Sequence, residues 1–166
     1  MQKKILKVSL FFVLLSLFLH HFFIINTSPS LPEGIYLKTW NIPQNGDIVL
    51  VSPPDLPVFR NALKKRLLSH GISEAGSCHI IKIMAASEGD EIVIQKDGMF
   101  VNGKKLANSQ RQNWQIDGMA ELPISKKLQG EVLLYTPHPL SFDSRYFGPI
   151  DRDTIISSIK PLLLWN

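Results

Sequence analysis

The sequence predicts a mainly β domain carried behind an N-terminal transmembrane helix, with one small helix among the strands. Three observations predict it. Val8–Ile25 runs eighteen residues without Asp, Glu, Lys or Arg. Beyond it the apolar runs are short and are separated by Asn-Gly, Asp-Gly and Pro-Pro breaks. Only the stretch 56–69 carries a helical stripe.

As a helix, Val8–Ile25 spans about 27 Å, enough for the hydrocarbon core of a bilayer. Lys3, Lys4 and Lys7 precede it and hold the N-terminus in the cytoplasm, so the remainder is exported. A cleaved secretory signal is the alternative, but its apolar core is usually about 7–15 residues and ends at small residues. Ile24-Ile25-Asn26-Thr27-Ser28-Pro29 offers no such site, which favours an uncleaved anchor. Residues 1–25 are therefore read as a cytoplasmic tip and membrane anchor, and 26–166 as one exported domain.

Within that domain Gly34–Trp40 alternates apolar and polar residues, and Asn45-Gly46-Asp47 turns into the apolar strand Ile48–Val51. Ser52-Pro53-Pro54 breaks the strand. Leu56–Ser69 then forms the helix, with Asp55 as its cap, Phe59, Leu63 and Leu67 as its apolar stripe, and Gly71 as its stop. His79–Ala85 and Glu91–Ile94 are strands around a Glu88-Gly89-Asp90 turn, and Asp97-Gly98 and Asn102-Gly103 bracket a hairpin strand at Met99–Val101. Ala107–Lys127 is polar and aperiodic, an elaborated surface loop. Val132–Thr136, Ile155–Ile159 and Leu162–Trp165 complete the strands.

Charge excludes a nucleic-acid partner. The chain carries 18 basic and 14 acidic residues, and setting aside the three leader lysines leaves the exported part near neutrality. Cys78 is the sole cysteine, so no internal disulfide forms. Its neighbour His79 points to the opposite face of a strand and cannot activate it, which leaves Cys78 as a small packing residue.

One residue stands out before any comparison. Lys82 lies inside Ile80-Ile81-Lys82-Ile83-Met84, and on a strand it shares a face with Ile80 and Met84. Lysine is rarely placed among apolar residues unless it is paired or put to use. Desolvation would lower its pKa from about 10.4 towards neutrality, the condition for a lysine base. The competing reading is an edge-strand lysine that discourages pairing with other chains.

Three fragments in order then carry a resemblance. Asn26–Tyr36 contains Ser30-Leu31-Pro32-Glu33-Gly34 just beyond the apolar segment; Ile80–Met84 is followed by Glu88-Gly89-Asp90; and Ser141-Phe142-Asp143-Ser144-Arg145 lies near the end. Together they resemble the signal peptidase I family of serine/lysine proteases, and most of all the conjugative transfer signal peptidases of the TraF type. The resemblance covers about Asn26 to Trp165, including Pro161-Leu162-Leu163-Leu164-Trp165. One departure is Ile83, where many relatives carry arginine after the lysine.

The resemblance implies a signal-peptidase-like antiparallel β-sheet domain in the periplasm, anchored in the bacterial inner membrane. It implies Ser30 as nucleophile and Lys82 as general base, with Ser28 helping the Ser30 N–H form an oxyanion hole and Ser141 orienting Lys82. Asp143 and Arg145 brace the site, either as a structural ion pair or by direct catalytic help. Gly46-Asp47 and Gly89-Asp90 match further family positions and are read as turns. The implied substrate is the precursor of a conjugative pilin or other transfer protein, cut after a small residue. Some relatives of this type are associated with pilins joined head to tail, so transpeptidation to a cyclic product belongs to the expectation. No metal or organic cofactor is implied. Two other readings remain: a general signal peptidase serving many exported proteins, and a non-catalytic membrane-tethered β-scaffold of a pilus or secretion machine.

Overall fold

Short strands pair into two antiparallel sheets, and several of the pairings join segments far apart in the sequence. The structure, a computed structural model, describes residues 5, 9–10, 12–13, 15, 19 and 21–165. Its strands are β1 (Phe23–Asn26), β2 (Gly34–Thr39), β3 (Ile48–Val51), β4 (Ile80–Ala86), β5 (Glu91–Gln95), β6 (Gly98–Val101), β7 (Lys104–Lys105), β8 (Ile124–Lys127), β9 (Glu131–Tyr135), β10 (Ile150–Asp151) and β11 (Ile155–Leu164). Two helices, α1 (Pro57–Lys64) and α2 (Ser144–Phe147), interrupt them. The larger sheet has the order β1-β2-β11-β3-β4-β9-β10 and the smaller β7-β6-β5-β8.

The domain starts earlier than predicted. Phe23, Ile24 and Ile25, assigned to the membrane helix from hydropathy, form β1 and pair with β2 from Phe23↔Leu37 to Asn26↔Gly34. β-branched and aromatic side chains favour a pleated surface, and a waiting edge on β2 decides the matter. Of the rest of the predicted span, Ser9, Leu10, Phe12, Val13, Leu15, Leu19, His21 and Phe22 are helical, and the other positions lie outside the described residues. Among the described residues, no helix is long and apolar enough to cross a membrane.

Three further elements differ. Helix α1 covers only Pro57–Lys64, because Arg66 adopts φ 59° and turns the chain out of the helix. Its N-cap is Leu56 rather than Asp55, with Pro57 opening the first turn, where a missing N–H costs nothing; Asp55 instead pairs with Arg60 at 2.8 Å. The two predicted C-terminal strands are one, β11, because Pro161 sits at a bulge between its pairings with β2. That close crossing requires Gly34, whose Cβ would stand 2.2 Å from the Leu163 carbonyl oxygen. The stretch 107–127 is not a plain surface loop: it ends in β8, buries Ile116, and stacks Trp114 on Tyr146 at 4.7 Å.

The core divides along β4. Ile80 and Met84 join Val49, Val51, Phe59 and Phe142 on one face, while Ile81 and Ile83 pack with Leu31, Tyr36, Leu50 and Ile159 on the other. Alternation along a strand produces this division, and it leaves Lys82 among apolar neighbours.

Candidate active site

Strand β4 delivers Lys82 to the floor of a cleft of about 1150 Å³, walled in part by Phe23, Ile25, Ile80, Trp114, Leu140 and Phe142. Val49 of β3 stands opposite Lys82 in the ladder, and the lysine is only 5% exposed. Its Nζ donates to Ser141 Oγ at 3.1 Å and reaches Ser30 Oγ at 3.4 Å. Ser30 lies on the loop between β1 and β2, half-buried, and its hydroxyl lies 3.2 Å from that of Ser28. Ser30 and Ser141 therefore meet at the Lys82 amine, and Ser28 joins them through Ser30.

Burial is the largest influence on that amine. It pushes Lys82 down from the ordinary 10.5 to about 8, with the Asp143 carboxylate pulling it back up and the Arg145 guanidinium pushing it down. A lysine near 8 is neutral in a substantial fraction at mildly alkaline pH, and a neutral amine accepts a proton.

The other two predicted residues pair with each other and act on Lys82 through their charges. Asp143 and Arg145 are both fully buried. The Arg145 guanidinium donates to Asp143 Oδ1 at 2.8 Å and Oδ2 at 2.6 Å, and also to the carbonyls of Asn108, Thr136, Pro139 and His138. Asp143 in turn accepts from the Arg145 and Thr136 N–H groups. The pair thus ties the end of β9 to the start of α2, and Ser141 hangs from that frame through its N–H bond to the His138 carbonyl at 3.1 Å. A buried pair with every lone pair answered is a brace.

Two placements went unforeseen. Cys78 is exposed and not packed, its Sγ donating to the His70 carbonyl at 3.0 Å at the rim of the cleft. Asn26 is buried beneath the Ser30 loop, where its side-chain amide makes four hydrogen bonds. An asparagine just before Ser28-Pro29-Ser30 is an ordinary turn signal in sequence, so nothing distinguished it there.

A loop-borne hydroxyl beside a desolvated amine is the kind of group pair that serine hydrolases use for acyl transfer. A family model described as signal peptidase, peptidase S26, matches residues 1–164, and the chain belongs to that family and so to its serine peptidases. It is 32% identical over 149 residues to a plasmid transfer protein TraF of Escherichia coli, covering 85% of this chain and 82% of the relative. With a conjugal transfer protein TraF of Agrobacterium tumefaciens it shares 29% over 150 residues, covering 86% and 82%. A solved signal peptidase I of Enterococcus faecalis superposes with a TM-score of 0.42 at 16% identity, covering 74% of this chain and 100% of that one.

Proposed function

We propose that this chain is a membrane-anchored serine endopeptidase that processes the precursor of a conjugative pilin or another transfer protein at the periplasmic face of the inner membrane. The observation that carries the reading is the 3.4 Å approach of Lys82 Nζ to Ser30 Oγ inside an apolar pocket. In this mechanism neutral Lys82 takes the Ser30 proton as the oxygen attacks the scissile carbonyl. Ser28 Oγ and the Ser30 N–H hold the developing oxyanion, and Lys82 then passes its proton to the leaving amine. Ser141 keeps the amine aimed throughout. The acyl-enzyme is resolved by water, or by the amine of a bound N-terminus in a transpeptidation.

The apolar cleft supports an extended, hydrophobic substrate segment, and the transfer proteins among the relatives favour a dedicated substrate over general leader removal. Replacing Ser30 or Lys82 with alanine abolishes precursor processing in cells while the protein remains folded, and the double variant is no worse than either single one. Substantial residual cleavage by Lys82→Ala sinks the dyad. Rescue of a strain depleted of its own signal peptidase would instead favour the general enzyme.

A further inference from the structure

The loop that carries Ser30 contains Pro29 and Pro32, which have no N–H to donate. Three of its carbonyls are answered by a side chain at the base of the loop. That side chain belongs to Asn26, the last residue of β1 and 4% exposed. Its Nδ2 donates to the carbonyls of Ser28 at 3.1 Å, Leu31 at 3.1 Å and Pro32 at 3.0 Å, while its Oδ1 accepts the Ser28 N–H at 3.0 Å. Tyr36 adds a hydroxyl bond to the Pro32 carbonyl at 2.6 Å, and the Leu31 side chain is anchored in the core beneath.

We propose that Asn26 is a positioning residue: it sets the backbone of 28–32, and through it the distance from Ser30 Oγ to Lys82 Nζ and the direction of the Ser30 N–H. Asn26 accepts the Ser28 N–H and not the Ser30 N–H, which the proposed mechanism assigns to the oxyanion. The inference rests on Ser30 as the nucleophile. The hydrogen bonds of this side chain run to the loop backbone, and burial, Asp143 and Arg145 are what shift Lys82, so the influence of Asn26 falls on geometry and not on the lysine's proton affinity.

The variants Asn26→Ala and Asn26→Asp separate this role from simple stability. Ala removes all four bonds. Asp keeps the shape and the acceptor for Ser28 N–H, but turns a second oxygen against three carbonyls. Hydrolysis of a chromogenic peptide ester with alanine at the acyl position is followed by the full-length enzyme in detergent, per mole of folded protein and below each variant's melting temperature. Both variants are expected to lose about 10²-fold in kcat, as an ångström-scale misplacement does. KM and the pH midpoint of kcat stay unchanged. Full kcat in either folded variant, or a loss confined to KM, overturns the inference, and the isosteric Asp decides alone if Ala does not fold. Ser30→Ala is run beside them. Ester hydrolysis by that variant removes the nucleophile assignment itself, whereas an inactive Ser30→Ala with active Asn26 variants rejects only the positioning role.

Discussion

Arg145 grips both carboxylate oxygens of Asp143, at 2.8 and 2.6 Å, and neither side chain reaches solvent. The guanidinium then spends its remaining donors on four carbonyls of the loops around it, at Asn108, Thr136, His138 and Pro139. Ser141, which accepts from Lys82, bonds by its N–H to the His138 carbonyl, one of the four that Arg145 holds.

Arg145→Ala should therefore destabilise the domain by about 3–5 kcal/mol, the cost of stranding a buried carboxylate. Arg145→Lys should recover little, since an ammonium cannot span two carboxylate oxygens and four carbonyls. Denaturant melts of the three proteins test this. Asp143→Asn should lose activity only in step with stability. Activity lost at unchanged stability would move Asp143 into the reaction itself.

Activity should climb through a midpoint at about pH 8, because only the neutral form of Lys82 accepts the Ser30 proton and burial has brought it down to that range. The pH profile of kcat/KM on a peptide ester measures it in the free enzyme. A profile that is flat from about pH 6 to 10 contradicts a lysine base.

The same burial costs stability at neutral pH. Below about pH 8 both folded and unfolded chains hold the Lys82 proton, and the native state carries a poorly solvated ammonium. Between about 8 and 10.5 the unfolded chain retains a proton that the native state has released, so raising the pH stabilises the fold. The depression from 10.5 to about 8 corresponds to roughly 3 kcal/mol. Lys82→Met, of similar volume and uncharged, should be more stable than the native chain at pH 7 by up to that amount. The gap should close as pH rises through the window. A gap independent of pH rejects the depressed lysine.

Much of this site was legible in the chain because strand periodicity is strict. Lys82 could be placed on the Ile80 and Met84 face from sequence, and that face is the one that buries it. Most of the strands were legible for the same reason, with Asn45-Gly46, Asp97-Gly98 and Asn102-Gly103 marking turns beside them, while β1, β7, β8 and β10 were not read. Hydropathy misjudged Phe23–Ile25, because an apolar run has no feature that separates the end of a helix from the start of an edge strand. Arg145 shows the other limit. Its partners are carbonyls 6 to 37 positions away, and carbonyls carry no identity in sequence. Asn26 was invisible on the same ground.

The last prediction concerns what releases the product. In the proposed mechanism, attack by Ser30 leaves the substrate acyl group esterified to the enzyme, and the ester yields to whichever nucleophile reaches it. The cleft of about 1150 Å³ is lined by Ser30, Lys82 and Leu140 among others, and transpeptidation requires it to hold a second chain end beside the acyl group. An amine held there has an effective molarity far above that of an amine free in solution, which lets it compete with water. Lys82, having passed its first proton to the leaving amine, is again neutral and deprotonates either nucleophile. If the pilin's own N-terminus is the amine, the product is a head-to-tail ring. Intact mass of the mature pilin distinguishes the outcomes, since the ring is lighter by one water than the linear peptide and has no free N-terminus for sequencing. The expected result is the lighter mass, lost on Ser30→Ala. A purely linear mass from active enzyme would leave hydrolysis as the whole reaction.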